Sequence, residues 1–275
     1  KDRAKAFGML GASFGFGFLL GPALGGILSQ HSISLPFWVA AFLALVGTII
    51  GYFILPETID PAHRQKVKSN PIDPKVLLAI AKKSGVGYLL LAGFIISLAT
   101  NAFIITFQSF TNVSLDMSPR DIGLLFTLVG LLSIIMQAVG VSWLLKQFKS
   151  RSKLIFAAEI LSGLILALMV FPFAHSFGMF VFLISLFQIT SAPLGPLLVG
   201  MLTEKAEGHE QGEVLGVNQS FASVAQIIGP LAAGGVAAFH IEAGFAIAAV
   251  LMFVGFYVSW SGYRQSKTAV AKQLV

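Results

Sequence analysis

The sequence predicts an all-α integral membrane protein, a bundle with eight transmembrane helices, and three observations carry that prediction. The first is the stretch from Lys5 to Glu57, which has no Lys, Arg, Asp or Glu between its ends. A membrane span takes about 20 mainly apolar residues, so this stretch holds two of them, parted by a polar hairpin at residues 29–36. The second is composition: 56% of residues are hydrophobic, 25 are Phe and 11% are charged, where a soluble domain carries roughly 25% charged residues. The third is the one-sided placement of the basic residues, which fixes how the helices alternate across the bilayer.

The helices follow in order. The first, 7–28, contains Gly17, Gly21, Pro22, Gly25 and Gly26. Pro22 lacks an N–H and clashes with the carbonyl four residues back, so this helix should bend. The second, 36–55, closes the same charge-free stretch. The third, 86–110, and fourth, 120–145, occupy the charge-free runs Ser84 to Leu115 and Ile122 to Leu145. The run from Ile160 to Thr203 is long enough for two helices and breaks at residues 172–178, giving 153–172 and 177–202. The seventh, 213–238, and eighth, 242–263, fill the last two runs.

Alternating the loops between two sides places 17 of the 18 Lys and Arg residues together, with only Arg120 opposite. Basic loops are retained in the cytoplasm, so both chain ends are expected there, in a multi-pass protein of the cell (inner or plasma) membrane. Residues 56–85, with Pro56, Pro61, Pro71, Pro74 and six basic residues, are expected to form a cytoplasmic linker. The expected organisation is two helices of an N-terminal bundle at 1–55, the linker, a C-terminal six-helix bundle at 86–265 and a cytoplasmic tail at 266–275.

Shifting the chain by 208 positions superposes Gly8 on Gly216, Gly21 on Gly229 and Pro22 on Pro230. The first and seventh helices are therefore copies of one design, six helices apart. That spacing implies a parallel duplication of a six-helix unit, one of the repeat schemes of secondary transporters. Four further helices are then expected before Lys1.

The pattern G-x-x-x-G-P-x-x-G-G at residues 17–26, after the loop Asp2-Arg3-Ala4-Lys5-Ala6-Phe7-Gly8, resembles the antiporter signature on the fifth helix of the major facilitator superfamily. The similarity is to its drug/proton antiporter branch, the multidrug or tetracycline efflux type. Leu55-Pro56-Glu57-Thr58 is similar to the end of the family's sixth helix, and Gly212-Glu213, Gly216 and Gly229-Pro230 to its eleventh. The chain then corresponds to helices five to twelve. The basic segment 143–151 departs from the family's loop motif by lacking its Gly and Asp. The resemblance implies a secondary transporter exporting small amphipathic or drug-like compounds in exchange for protons, by alternating access of two bundles. The alternatives are an uptake symporter of a small solute, or a non-transporting membrane sensor or scaffold with the same fold.

Candidate site residues follow from where polar groups and bare helix faces fall. Gly17, Gly21 and Gly25, four apart, form a ridge on which helices approach closely. With Pro22 and Gly26 this ridge is expected to seal the moving bundles, against the fourth helix near Gly123, Thr127 and Gly130. Ordinary packing between helices is the alternative. Asn101 and Gln108 on the third helix either face a substrate cavity or bond a neighbouring helix. Gln137 and Gln188, deep in their spans, are further cavity candidates, and Asn218, Gln219 and Gln226 share the ambiguity. Glu159 is the only carboxylate inside a span and lies about 9 Å along the helix from Lys153, so snorkelling or pairing with Lys153 is expected.

Other chemistry finds little support. Without cysteine there is no disulfide, thiolate ligand or cysteine nucleophile. Gly11-Ala12-Ser13-Phe14-Gly15 fits a hydrolase pattern but lacks the preceding strand and the His and acid such a site needs. No enzyme, cofactor or metal site is expected, and the net charge of +6 belongs to membrane-flanking loops rather than to nucleic-acid binding. The expected partners are the lipid bilayer, a small-molecule substrate, protons and the four preceding helices.

Overall fold

The computed structural model describes residues 17, 20, 21, 24–54, 85–206, 211–237 and 239–273. Pro22, residues 55–58, the expected linker save Gly85, the Gly11 to Gly15 match and the last two residues of the expected tail lie outside the described residues.

The described helical segments number eight. They are α1 (24–29), α2 (Leu35–Ile54), α3 (Gly87–Ser114), α4 (Pro119–Phe148), α5 (Arg151–Leu168), α6 (Phe177–Lys205), α7 (Gln211–Ala237) and α8 (Ala243–Gln273). Six of them, α2, α3, α4, α6, α7 and α8, are long and apolar enough to cross a membrane. The 18 residues of α5 rise about 27 Å, close to the roughly 30 Å of a bilayer's hydrocarbon core.

Local chemistry sets the boundaries. Ser118 caps α4 by accepting from the Asp121 N–H at 3.2 Å, with Pro119 at the first helical position, where its missing N–H costs nothing. Lys149 ends α4 in the left-handed conformation at φ 53°, a common helix stop, and Ser150 then caps α5. The expected break between α5 and α6 is a 3-10 turn at Pro172–His175.

One expectation is corrected. The sixth helix is not continuous: α6 divides into Phe177–Ser191 and Leu194–Lys205, because Pro193 supplies no N–H to the ladder. Helix α8 continues to Gln273, into the segment expected as a tail. Residues 264–273 contain neither Gly nor Pro, so nothing stops the helix. Arg264 stacks on Trp260 and Lys267 on Tyr263, each one turn back.

The core is built around α3, which packs against α7 and α8, while α8 also packs on α5, α5 on α6 and α6 on α4. At the end of α3 remote from the lysine-rich loops, aromatic rings fill the space. Phe103 lies 4.4 Å from Phe187, Phe107 5.0 Å from Phe126, and Phe110 5.1 Å from Phe180 and 5.4 Å from Phe245, centroid to centroid. By contrast α2 buries none of its residues, and Phe37 and Trp38 are each 73% exposed.

Candidate functional site

Close approach between helices is concentrated at particular glycines. A Cβ built on Gly229 would stand 2.9 Å from Asn101 Cβ, 3.0 Å from the Leu98 carbonyl oxygen and 3.3 Å from the Ala102 nitrogen. Only the missing side chain lets α7 lie this near α3. Val214, Val217, Ala225, Gly229 and Ala233 form the buried face of α7, and Pro230, the next residue, is half-buried within the helix.

The repeat counterpart behaves differently. Among the described residues Gly17, Gly21 and Gly25 have no atom within 4 Å of a built Cβ, whereas one on Gly26 would lie 2.9 Å from the Pro119 oxygen and 3.4 Å from Gly123 Cα. The expected contact with the fourth helix therefore exists, but Gly26 makes it and the Gly17/Gly21/Gly25 ridge does not among the described residues. One residue is 100° of helical rotation, so the neighbouring face carries the contact. Gly123 meets it; Thr127 bonds the Gly123 carbonyl oxygen instead, at 2.9 Å. Beside this contact Ile27, Gln30, Arg120 and Leu124 line a cleft of about 380 Å³.

The polar candidates are placed separately. Asn101 is half-buried against α7, and its Nδ2 donates to the Ser97 carbonyl oxygen one turn back at 2.8 Å. Gln108 is exposed on α3 and Gln188 half-buried on α6. Gln137 is exposed in a π turn, Met136–Gly140, and its Nε2 donates to Ser133 Oγ at 2.9 Å. Such turns widen a helix locally and recur at functional sites. Among the described residues no hydrogen bond joins any two of these four.

A stripe less prominent in the sequence reading emerges on α7. Gln219, Ser223 and Gln226, spaced four and three apart, share one face and are all exposed. Ser223 Oγ is satisfied by the Gln219 carbonyl oxygen at 3.0 Å. The spacing was visible in the sequence; which face α7 buries was not.

The expectation for Glu159 is overturned. Its side chain is fully buried, Ser259 Oγ of α8 donates to Oε1 at 2.8 Å, and Oε2 has no partner among the described residues. Lys153 is exposed. Six residues are about 1.7 helical turns, so the two side chains leave α5 about 120° apart, on different faces. Room for the carboxyl comes from Gly255, where a Cβ would stand 3.4 Å from Oε1. Among the described residues no cluster of three or more His, Asp or Glu could hold a metal ion.

The family model described as Major Facilitator Superfamily matches residues 1–100 and 89–273. The chain belongs to the Major Facilitator Superfamily. Similar members of that superfamily include Multidrug resistance protein 2 of Bacillus subtilis (strain 168), 25% identical over 93% of this chain and 63% of the relative. Quinolone resistance protein NorA of Staphylococcus aureus (strain MSSA476) is 28% identical over 88% of this chain and 60% of its own length. The chain thus spans about three fifths of the relatives it matches. Membership in this superfamily of transporters and the apolar helices make it a multi-pass membrane protein.

Proposed function

We propose that this chain forms eight helices of a secondary transporter that exports small amphipathic or drug-like compounds in exchange for protons. The observation that carries the reading is the exposed Gln219/Ser223/Gln226 stripe of α7. Polar side chains that face hydrocarbon are costly, and in membrane bundles such groups line a water-filled path. Asn101, Gln108, Gln137 and Gln188 are proposed as further cavity residues on the same bundle, with α7 and α3 held together at Gly229. The drug classes in the names of the relatives, multidrug and quinolone, support the choice of substrate.

In this reading residues 1–55 close one bundle, 56–85 link it on the cytoplasmic side, 86–265 form the other, and both ends of the chain are cytoplasmic. Four further helices complete the first bundle. Two facts support that partner: α2 buries no residue, and the relatives are longer than this chain. The two bundles alternate access by rocking about the cavity.

The test is export of a fluorescent amphipathic cation from an efflux-deficient bacterium. The complete transporter should lower dye accumulation, and a protonophore should abolish the effect. The 275-residue chain should do nothing without the upstream helices. Dye uptake would favour a symporter, and no movement of any compound by the complete protein would favour a sensor or scaffold. Efflux by the 275 residues alone would refute the two-bundle reading.

A further inference from the structure

At the lysine-rich end of the bundle, where α3 and α5 begin and α6 and α8 carry their basic residues, the surface opens into a cleft of about 300 Å³. Tyr88, Ser152, Lys205, Tyr263, Ser266 and Lys267 line it. We propose that this cleft is a binding site for a phosphate group of net negative charge, presented either by the headgroup of an acidic phospholipid or by free phosphate.

The two ammonium groups come from different helices and are held in place. Lys205 Nζ lies 5.8 Å from the centre of the Tyr88 ring, and Lys267 Nζ 5.4 Å from that of Tyr263, contacts in which a ring face favours a cation. Gly85 makes room for the first: a Cβ there would stand 2.8 Å from Lys205 Nζ, and its φ of 83° is one that glycine adopts readily.

Among the described residues neither lysine has a carboxylate partner. The neighbouring acid, Glu204, is instead engaged by Arg151. The ring contacts orient the ammonium groups without neutralising them, so the cleft keeps two positive charges beside the Ser152 and Ser266 hydroxyls. The first turns of α3 and α5 begin here as well, and Val86 provides no side-chain cap to α3, so uncapped N–H groups add to the positive field.

The cleft also has a floor. Below it, the slot among Leu89, Ile155, Phe156 and Leu198 leaves only about 10 Å³. An occupant therefore stays at the level of the headgroups and does not descend toward Glu159. The loop charges assign this level to the cytoplasmic leaflet, and basic pockets between transmembrane helices on that side are suited to anionic headgroups.

The experiment titrates the full chain in detergent with dihexanoyl phosphatidic acid, dihexanoyl phosphatidylcholine or inorganic phosphate and reads the thermal midpoint. Phosphatidic acid should raise the midpoint of the unmodified protein. Each lysine near an anionic group contributes about fivefold in affinity, so Lys205→Ala/Lys267→Ala should bind roughly 25-fold more weakly. Lys205→Arg/Lys267→Arg should keep most of the effect, and Lys146→Ala/Lys149→Ala, at the end of α4, should keep all of it. Lys205→Gln/Lys267→Gln retains the stems over the tyrosine rings and decides the matter if the alanine variant does not fold. A midpoint raised by inorganic phosphate alone identifies free phosphate as the source; a response to the lipid only identifies the headgroup. An equal response to phosphatidylcholine, or an unchanged response in the glutamine variant, overturns the proposal.

Discussion

Gly229→Ala tests the seam between α3 and α7. The added methyl carbon would sit 2.9 Å from Asn101 Cβ and 3.0 Å from the Leu98 carbonyl oxygen, whereas carbon atoms rest at about 3.5–4.0 Å. Two of the three nearest atoms are backbone, so rotating a side chain cannot relieve the overlap, and the helices must part by roughly 0.5–1 Å. Overpacking of this kind costs about 1–3 kcal/mol. Alanine is also a better helix former than glycine by about 1 kcal/mol, which partly masks the clash in any single measurement. Gly235→Ala on the same helix removes the propensity ambiguity, because a Cβ there has nothing within 4 Å among the described residues. Propensity then cancels between the two variants, and the difference is the clash together with the crowding that a Cβ before Pro230 adds. At roughly 2–4 °C per kcal/mol for a domain of this size, Gly229→Ala should melt several degrees below Gly235→Ala in detergent. Equal midpoints would show that the close approach of α3 and α7 does not stabilise the bundle.

Ser259→Ala should destabilise by about 1–3 kcal/mol, because it leaves the buried Glu159 carboxyl without its hydrogen-bond donor; Glu159→Gln, which keeps an acceptor oxygen for Ser259, should cost less, as thermal midpoints would show. Gly26→Ala should lower the thermal midpoint, since its Cβ would stand 2.9 Å from the Pro119 carbonyl oxygen and 3.4 Å from Gly123 Cα, closer than atoms rest, whereas Gly25→Ala, with nothing within 4 Å among the described residues, should not. Gln226→Leu in the complete transporter should change efflux of some dyes more than others while leaving abundance within about 0.5 kcal/mol of neutral stability. A uniform loss that follows abundance would mean the α7 stripe is structural.

What the sequence determined by itself is the part governed by the bilayer. Charge-free runs of about 20 residues or more read as helices, because the backbone must satisfy its own hydrogen bonds in hydrocarbon and a spanning strand needs only about 10. Eight segments could therefore be read in order. The repeat and the glycine signature led to the superfamily for the same reason, since small residues in apolar helices are a local property. Rotation of each helix about its own axis was not legible. A helix hydrophobic on every side has no periodic cue to its inward face, so the sequence could not say that Gly26, not Gly25, meets α4, that Glu159 turns to Ser259 rather than to Lys153, or that α7 buries Gly229 and exposes Gln219, Ser223 and Gln226. The lysine cleft was equally hidden, because Tyr88, Ser152, Lys205 and Lys267 lie on four helices far apart in the chain. Only packing brings those four helix ends together, and packing is decided by the volumes of side chains that the order of residues does not place side by side.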